Sequence, residues 1–169
     1  MTARSLLLAA ATAAALLPLA STAMPKLLLW NPSASVPVGL YVLRAASPLH
    51  VGELVTVTPP SYLAAFLASR GYVPSGVPLV KHIAALKGQT VCRRARAIII
   101  DGHTVAIVRV RDSAHRSLPV WQGCKRLSAD QVFLLNATVP DSFDGRYFGV
   151  LSASTIAARA EPLWIIPEH

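Results

Sequence analysis

Along most of this chain the apolar residues come in short runs, β-branched and bounded by Pro or Gly, a pattern that predicts strands. Val38–Arg44 and Glu53–Thr58 are the first two such runs, followed by Leu79–Leu86 and Thr90–Arg94. Ala97–Ile100, Asp101-Gly102 and Thr104–Val110 read as a hairpin, because Asp-Gly suits a tight primed turn. Gln131–Asn136, Tyr147–Leu151 and Ile156–Trp164 complete the strand set, and Arg111–Lys125 reads as loop. Only Ser61–Ser69, SYLAAFLAS, between Pro59-Pro60 and Arg70-Gly71, has helical character in this part of the chain. The expectation is a single, mainly antiparallel β domain over residues 26–169.

Residues 1–25 differ from everything after them. Ser5–Ala23 reads SLLLAAATAAALLPLASTA behind a single basic residue, Arg4. Two readings stand. A cleaved export signal would use Leu6–Leu19 as its apolar core and Ser21-Thr22-Ala23 as its cleavage site. A retained anchor would use about 20 apolar residues at ~1.5 Å each to cross a ~30 Å hydrocarbon layer, although Pro18 and the many alanines weaken it. The anchor is favoured, and Arg4 places the following domain outside the cytoplasm.

Composition narrows the classes. Charged residues make up 14% of the 169, apolar ones 53%, and the formal net charge is +8, which excludes a disordered chain. The basic residues are scattered, and the densest group, Arg93, Arg94 and Arg96, runs straight into Ile98-Ile99-Ile100. No zinc-finger spacing or RNA-binding sheet signature accompanies them, so a solvated basic face near anionic lipid is expected rather than a nucleic-acid partner. Cys92 and Cys124 are the only cysteines. In an oxidising compartment their bridge would close a loop of about 33 residues, worth ~3–4 kcal/mol in the chain-entropy model. The alternative is two buried thiols. With no His at ligand spacing they make a poor zinc site, and no cofactor is expected.

Two residues offer chemistry. Ser35 stands two positions before Pro37, which holds Val36 extended, and Gly39 then allows a close backbone approach. That presents a hydroxyl at a cleft rim, or else makes a plain turn. No Gly-x-Ser-x-Gly elbow exists, and none of the five histidines has a supporting context. A lysine serves as the base instead if burial lowers its pKa. Lys81 shares a strand face with Leu79 and Ile83, though a strand lysine also snorkels to solvent. Lys26, Lys87 and Lys125 fall at the membrane edge or in loop-like segments.

Four segments in order resemble one family. Asn31-x-Ser33-x-Ser35-x-Pro37-x-Gly39-Leu40-Tyr41 is similar to a nucleophile motif, Gly52-Glu53-Leu54-Val55 to a Gly-Asp/Glu strand, and Leu79-Val80-Lys81-His82-Ile83 to a block holding a base. Asp141-Ser142-Phe143-Asp144-Gly145-Arg146-Tyr147-Phe148-Gly149 is similar to a Ser-x-Asp-Ser-Arg-x-x-Gly block. The chain thus resembles the Ser/Lys-dyad signal peptidases, most closely the TraF-type peptidases of conjugative transfer. The resemblance implies the family's coiled antiparallel β-sheet, with Ser35 as nucleophile, Lys81 as base and Asp144 orienting the site. It also implies oxyanion donors from the Ser35 N–H and the Ser33 hydroxyl. Ser33 reads equally as a turn serine, and Asp144 as the ion partner of Arg146. The implied substrate is an exported precursor bound as an added strand with small residues at −1 and −3. That precursor is a pilin subunit in a type IV secretion setting, cut and sometimes joined head to tail. The implied location is the inner membrane, facing the periplasm. A general leader peptidase and a silent envelope scaffold are the alternatives. In one departure, Gly145 replaces the second serine of the last block, which leaves the lysine's orientation to Asp144 or a water.

Overall fold

A computed structural model describes residues 28–167. The apolar segment, Lys26 and His169 lie outside it, so the expectations placed on them have no structural counterpart here. Among the described residues eleven strands build two antiparallel sheets. The larger has the order β1-β2-β11-β3-β4-β9-β10, and the smaller β7-β6-β5-β8. In the larger sheet β1 is Leu28–Asn31, β2 Gly39–Arg44, β3 Leu54–Val57, β4 Leu79–Ala85, β9 Gln131–Leu134, β10 Leu151–Ser152 and β11 Ile156–Ile165. In the smaller, β5 is Thr90–Arg94, β6 Ala97–Ile100, β7 His103–Ile107 and β8 Gly123–Arg126. The mainly β, antiparallel class is the one expected. Helix α1 covers Ser61–Ser69, as the sequence pattern predicts.

The core divides by strand face. On β9, Phe133 points into a cluster shared with the small sheet through Val91 and Ile98, while Val132 and Leu134 point the other way, against α1 through Leu63 and Leu67. This alternation welds both sheets and the helix onto one strand. A third, smaller cluster of Val36, Tyr41, Val80 and Ala160 lies under the Ser35 loop. The predicted hairpin forms between β6 and β7, with Asp101 and Gly102 both at positive φ (47° and 87°), the conformation a primed turn demands.

Three segments depart from the sequence reading. β1 emerges from the run of leucines that closes the apolar stretch and pairs with β2 from Leu28↔Val42 to Asn31↔Gly39. β8 begins inside the segment read as loop and runs one residue past its end; it is exposed throughout and carries no apolar pattern, being an edge strand held by pairing with β5. Lys125 therefore sits on a strand. Tyr147–Leu151 is not a strand. Helix α2, Gly145–Phe148, occupies its start because the Asp144 carboxylate accepts the Arg146 N–H as an N-cap, and only Leu151 and Ser152 pair, with β9.

Candidate active site

Ser35 sits in the tight connection between β1 and β2, and local polar groups give that loop its shape. Asn31, 5% exposed, donates from Nδ2 to the carbonyls of Ser33 (2.8 Å), Val36 (3.3 Å) and Pro37 (3.1 Å), and its Oδ1 accepts the Ser33 N–H. The Tyr41 hydroxyl closes the loop on the Pro37 carbonyl. Gly39 begins β2 where a Cβ would strike the Trp164 backbone oxygen, so the strand pairing itself requires glycine. Ser35 is half-buried and Ser33 exposed. The Ser33 hydroxyl donates to Ser35 Oγ at 3.1 Å and accepts the Ser35 N–H at 3.2 Å. The two groups expected to bind an oxyanion thus bind each other in the free protein, and an incoming carbonyl oxygen must compete for both donors.

Lys81 lies on β4 at 3% exposure, between Leu79 and Ile83 on one face. Its Nζ donates to Ser142 Oγ at 2.9 Å. Burial pushes its pKa down to about 8; the Asp144 carboxylate opposes that shift and the Arg146 guanidinium adds to it. Burial of an ammonium favours its neutral form, and the neutral amine is the form that takes a proton. The hydrogen bond to Ser142 corrects the expectation about orientation: a hydroxyl does hold the lysine, and neither Asp144 nor a water is required. The signal was in the sequence, because Ser142 stands at the first serine of the Ser-x-Asp-Ser-Arg block and Gly145 replaces only the second. Glycine is there for space, since a Cβ would stand 2.6 Å from the Leu134 carbonyl oxygen and 2.7 Å from the Phe133 ring.

Asp144 is fully buried, and its hydrogen bonds go to the scaffold. Oδ1 accepts the Arg146 N–H (3.1 Å) and Nε (2.9 Å); Oδ2 accepts Arg146 Nη2 (2.8 Å) and the Asn136 N–H (3.0 Å). Arg146, 1% exposed, also donates to the carbonyls of Asn136 (3.0 Å), Val139 and Pro140. The pair therefore folds residues 136–146 into the shape that carries Ser142, and Asp144 reaches Lys81 only through its field. Phe143, between the two, stacks on Phe66 and Tyr147 with ring centroids 5.4 and 5.3 Å away, anchoring the same loop in the aromatic layer.

Ser33, Ser35, Lys81 and Ser142 all line one cleft of about 610 Å³. No direct Ser35–Lys81 hydrogen bond forms; each hydroxyl and amine has the other partner just given. Cys92 and Cys124, directly opposite each other on β5 and β8, are joined as a disulfide away from the cleft.

The cleft thus brings together a half-buried hydroxyl, Ser35, and a buried lysine of lowered pKa, Lys81. A family model described as signal peptidase, peptidase S26, matches residues 2–165. The chain belongs to this family. It is a serine peptidase of the signal peptidase type. Relatives include a conjugal transfer protein TraF of Agrobacterium fabrum, 34% identical over 146 residues, covering 79% of this chain and 80% of that protein. A plasmid transfer protein TraF of Escherichia coli is 30% identical over 144 residues, with the same coverage. Among solved structures, a signal peptidase I of Enterococcus faecalis gives a TM-score of 0.37 at 16% identity, over 65% of this chain and 94% of that one, too distant to add to the family assignment.

Proposed function

We propose that this peptidase cleaves an exported precursor by a Ser35/Lys81 dyad and works in conjugative transfer, with a pilin subunit as substrate. The observation that carries the reading is the buried Lys81 amine, held by Ser142 in the same cleft as Ser35. The names of the TraF relatives support the conjugative setting. In the reaction, neutral Lys81 takes the Ser35 proton as Oγ bonds to the scissile carbonyl carbon. Collapse of the tetrahedral adduct breaks the C–N bond, Lys81 returns the proton to the leaving amine, and an acyl ester remains on Ser35. Water resolves that ester to a linear product. The precursor's own amine would resolve it to a cyclic one.

Membrane association belongs to the same proposal. Trp30 and Trp164 stack 6.1 Å apart, both about half exposed, and Leu28 and Leu163 are exposed too; Leu28 and Trp30 lie on the edge strand β1, where the apolar N-terminal sequence joins. Aromatic and leucine side chains in such a patch suit a lipid–water interface, which fits an enzyme held at the periplasmic face of the inner membrane.

The test expresses Ser35→Ala and Lys81→Ala with a candidate pilin precursor and follows the precursor's size. Both variants are expected to leave it uncut; cleavage by either one rejects the dyad. Mass spectrometry of the wild-type product separates linear from cyclic.

A further inference from the structure

The hydrogen bonds of Asn31 and Tyr41 fix the shape of the Ser35 loop, but all of them lie within residues 31–41. They cannot set where the loop stands relative to β4. Among the described residues, the side-chain hydrogen bond that ties it to the rest of the site comes from Asn136, just beyond the end of β9.

Asn136 is 2% exposed, and a buried amide must place two donors and an acceptor. Its Nδ2 donates to the Ser35 carbonyl at 2.7 Å and to the Val80 carbonyl at 3.3 Å. Its Oδ1 accepts the His82 N–H at 3.0 Å and stands 3.1 Å from His82 Nδ1. Its own N–H donates to Asp144 Oδ2 and its carbonyl accepts Arg146 Nη2, both at 3.0 Å. One residue thus holds the nucleophile's own peptide, both chain neighbours of Lys81, and the ion pair that shapes the Ser142 loop.

We infer that Asn136 is the positioning residue that sets the Ser35 loop against Lys81 and Ser142. The inference rests on the Ser35/Lys81 reading. The amide touches no reacting atom. It acts by clamping three separately folded segments at one point, which holds the Ser35 loop against the strand that carries the lysine. A misplacement of about 1 Å between such groups costs on the order of 100-fold in rate.

The test is Asn136→Ser, whose hydroxyl is too short to span both carbonyls, assayed on a fluorogenic peptide with Ala at −1 and −3. We expect kcat to fall roughly 10- to 100-fold with KM within about twofold, a cooperative thermal melt, and an acid limb still near pH 8, because the position and not the basicity of Lys81 has changed. A kcat within about twofold of wild type overturns the inference, and so does a rate loss that merely tracks the unfolded fraction. If Asn136→Ser does not fold, Asn136→Asp keeps the acceptor toward His82 and loses the donor toward Ser35, with the same expected fall in kcat and an acid limb moved upward by the added carboxylate. Failure of both to fold makes the amide a folding determinant and overturns the inference as well. Ser35→Ala separates the two readings: cleavage surviving in it rejects the dyad, whereas loss there beside full rate in the Asn136 variants rejects only the clamp.

Discussion

At the residue scale the lysine decides most. An ammonium buried at 3% exposure with a pKa of about 8 is half deprotonated near that pH. Log kcat/KM should therefore climb with slope one below pH 8 and level off by about pH 9, measured on a fluorogenic peptide. The same shift has a stability sign. In the unfolded chain the lysine titrates near ~10.4, so between pH 8 and 10 the unfolded state binds more protons and stability rises with pH. The burial penalty is present in full below pH 8. Lys81→Met should remove it, raising stability at pH 7 by about 1–3 kcal/mol and flattening the rise above pH 8 in denaturant titrations. Ser142→Ala leaves the buried amine without its hydrogen bond, and kcat should drop on the order of 10- to 100-fold, beside a stability loss of about 1–3 kcal/mol from the unpaired donor. Asp144→Ala has a different signature: it strands a buried guanidinium, so a loss of about 3–5 kcal/mol in stability should precede any specific kinetic effect.

At the scale of elements, the decisive piece is the segment from the end of β9 through α2. Its sequence looks like loop followed by strand, and the Asp144 cap turned the second half into a helix. Gly145 shows how tight this segment is. Gly145→Ser, which restores the serine of the wider Ser-x-Asp-Ser-Arg block, forces a Cβ against the Leu134 carbonyl and the Phe133 ring. It should cost about 1–3 kcal/mol in a thermal or urea melt and bring no gain in rate, since Ser142 already holds the lysine. Strand β8 marks the opposite limit. Exposed on all four residues, it has no apolar face for a pattern to reveal, and only its pairing with β5 makes it a strand.

At the scale of the whole molecule, two sheets and a helix meet on β9, and the cleft opens where the Ser35 loop, β4 and the 136–146 segment converge. The class was legible because β-branched runs between Pro and Gly dictate strands locally, and the Asp101-Gly102 turn dictates a hairpin wherever it occurs. Helix Ser61–Ser69 was legible for the same local reason. Of the candidate site, the family resemblance of the four blocks singled out Ser35, Lys81 and Asp144, and local polarity alone fixed the loop around Ser35 through Asn31. What no local pattern could tell was that Asp144 spends its hydrogen bonds on Arg146 and Asn136, and that Asn136 reaches the Ser35 carbonyl 101 residues away in sequence. Those are matters of which buried polar groups satisfy one another once strands distant in the chain are paired. A polar group's propensity says only that it needs a partner; the packing of β4 between β3 and β9 decided which partner it found.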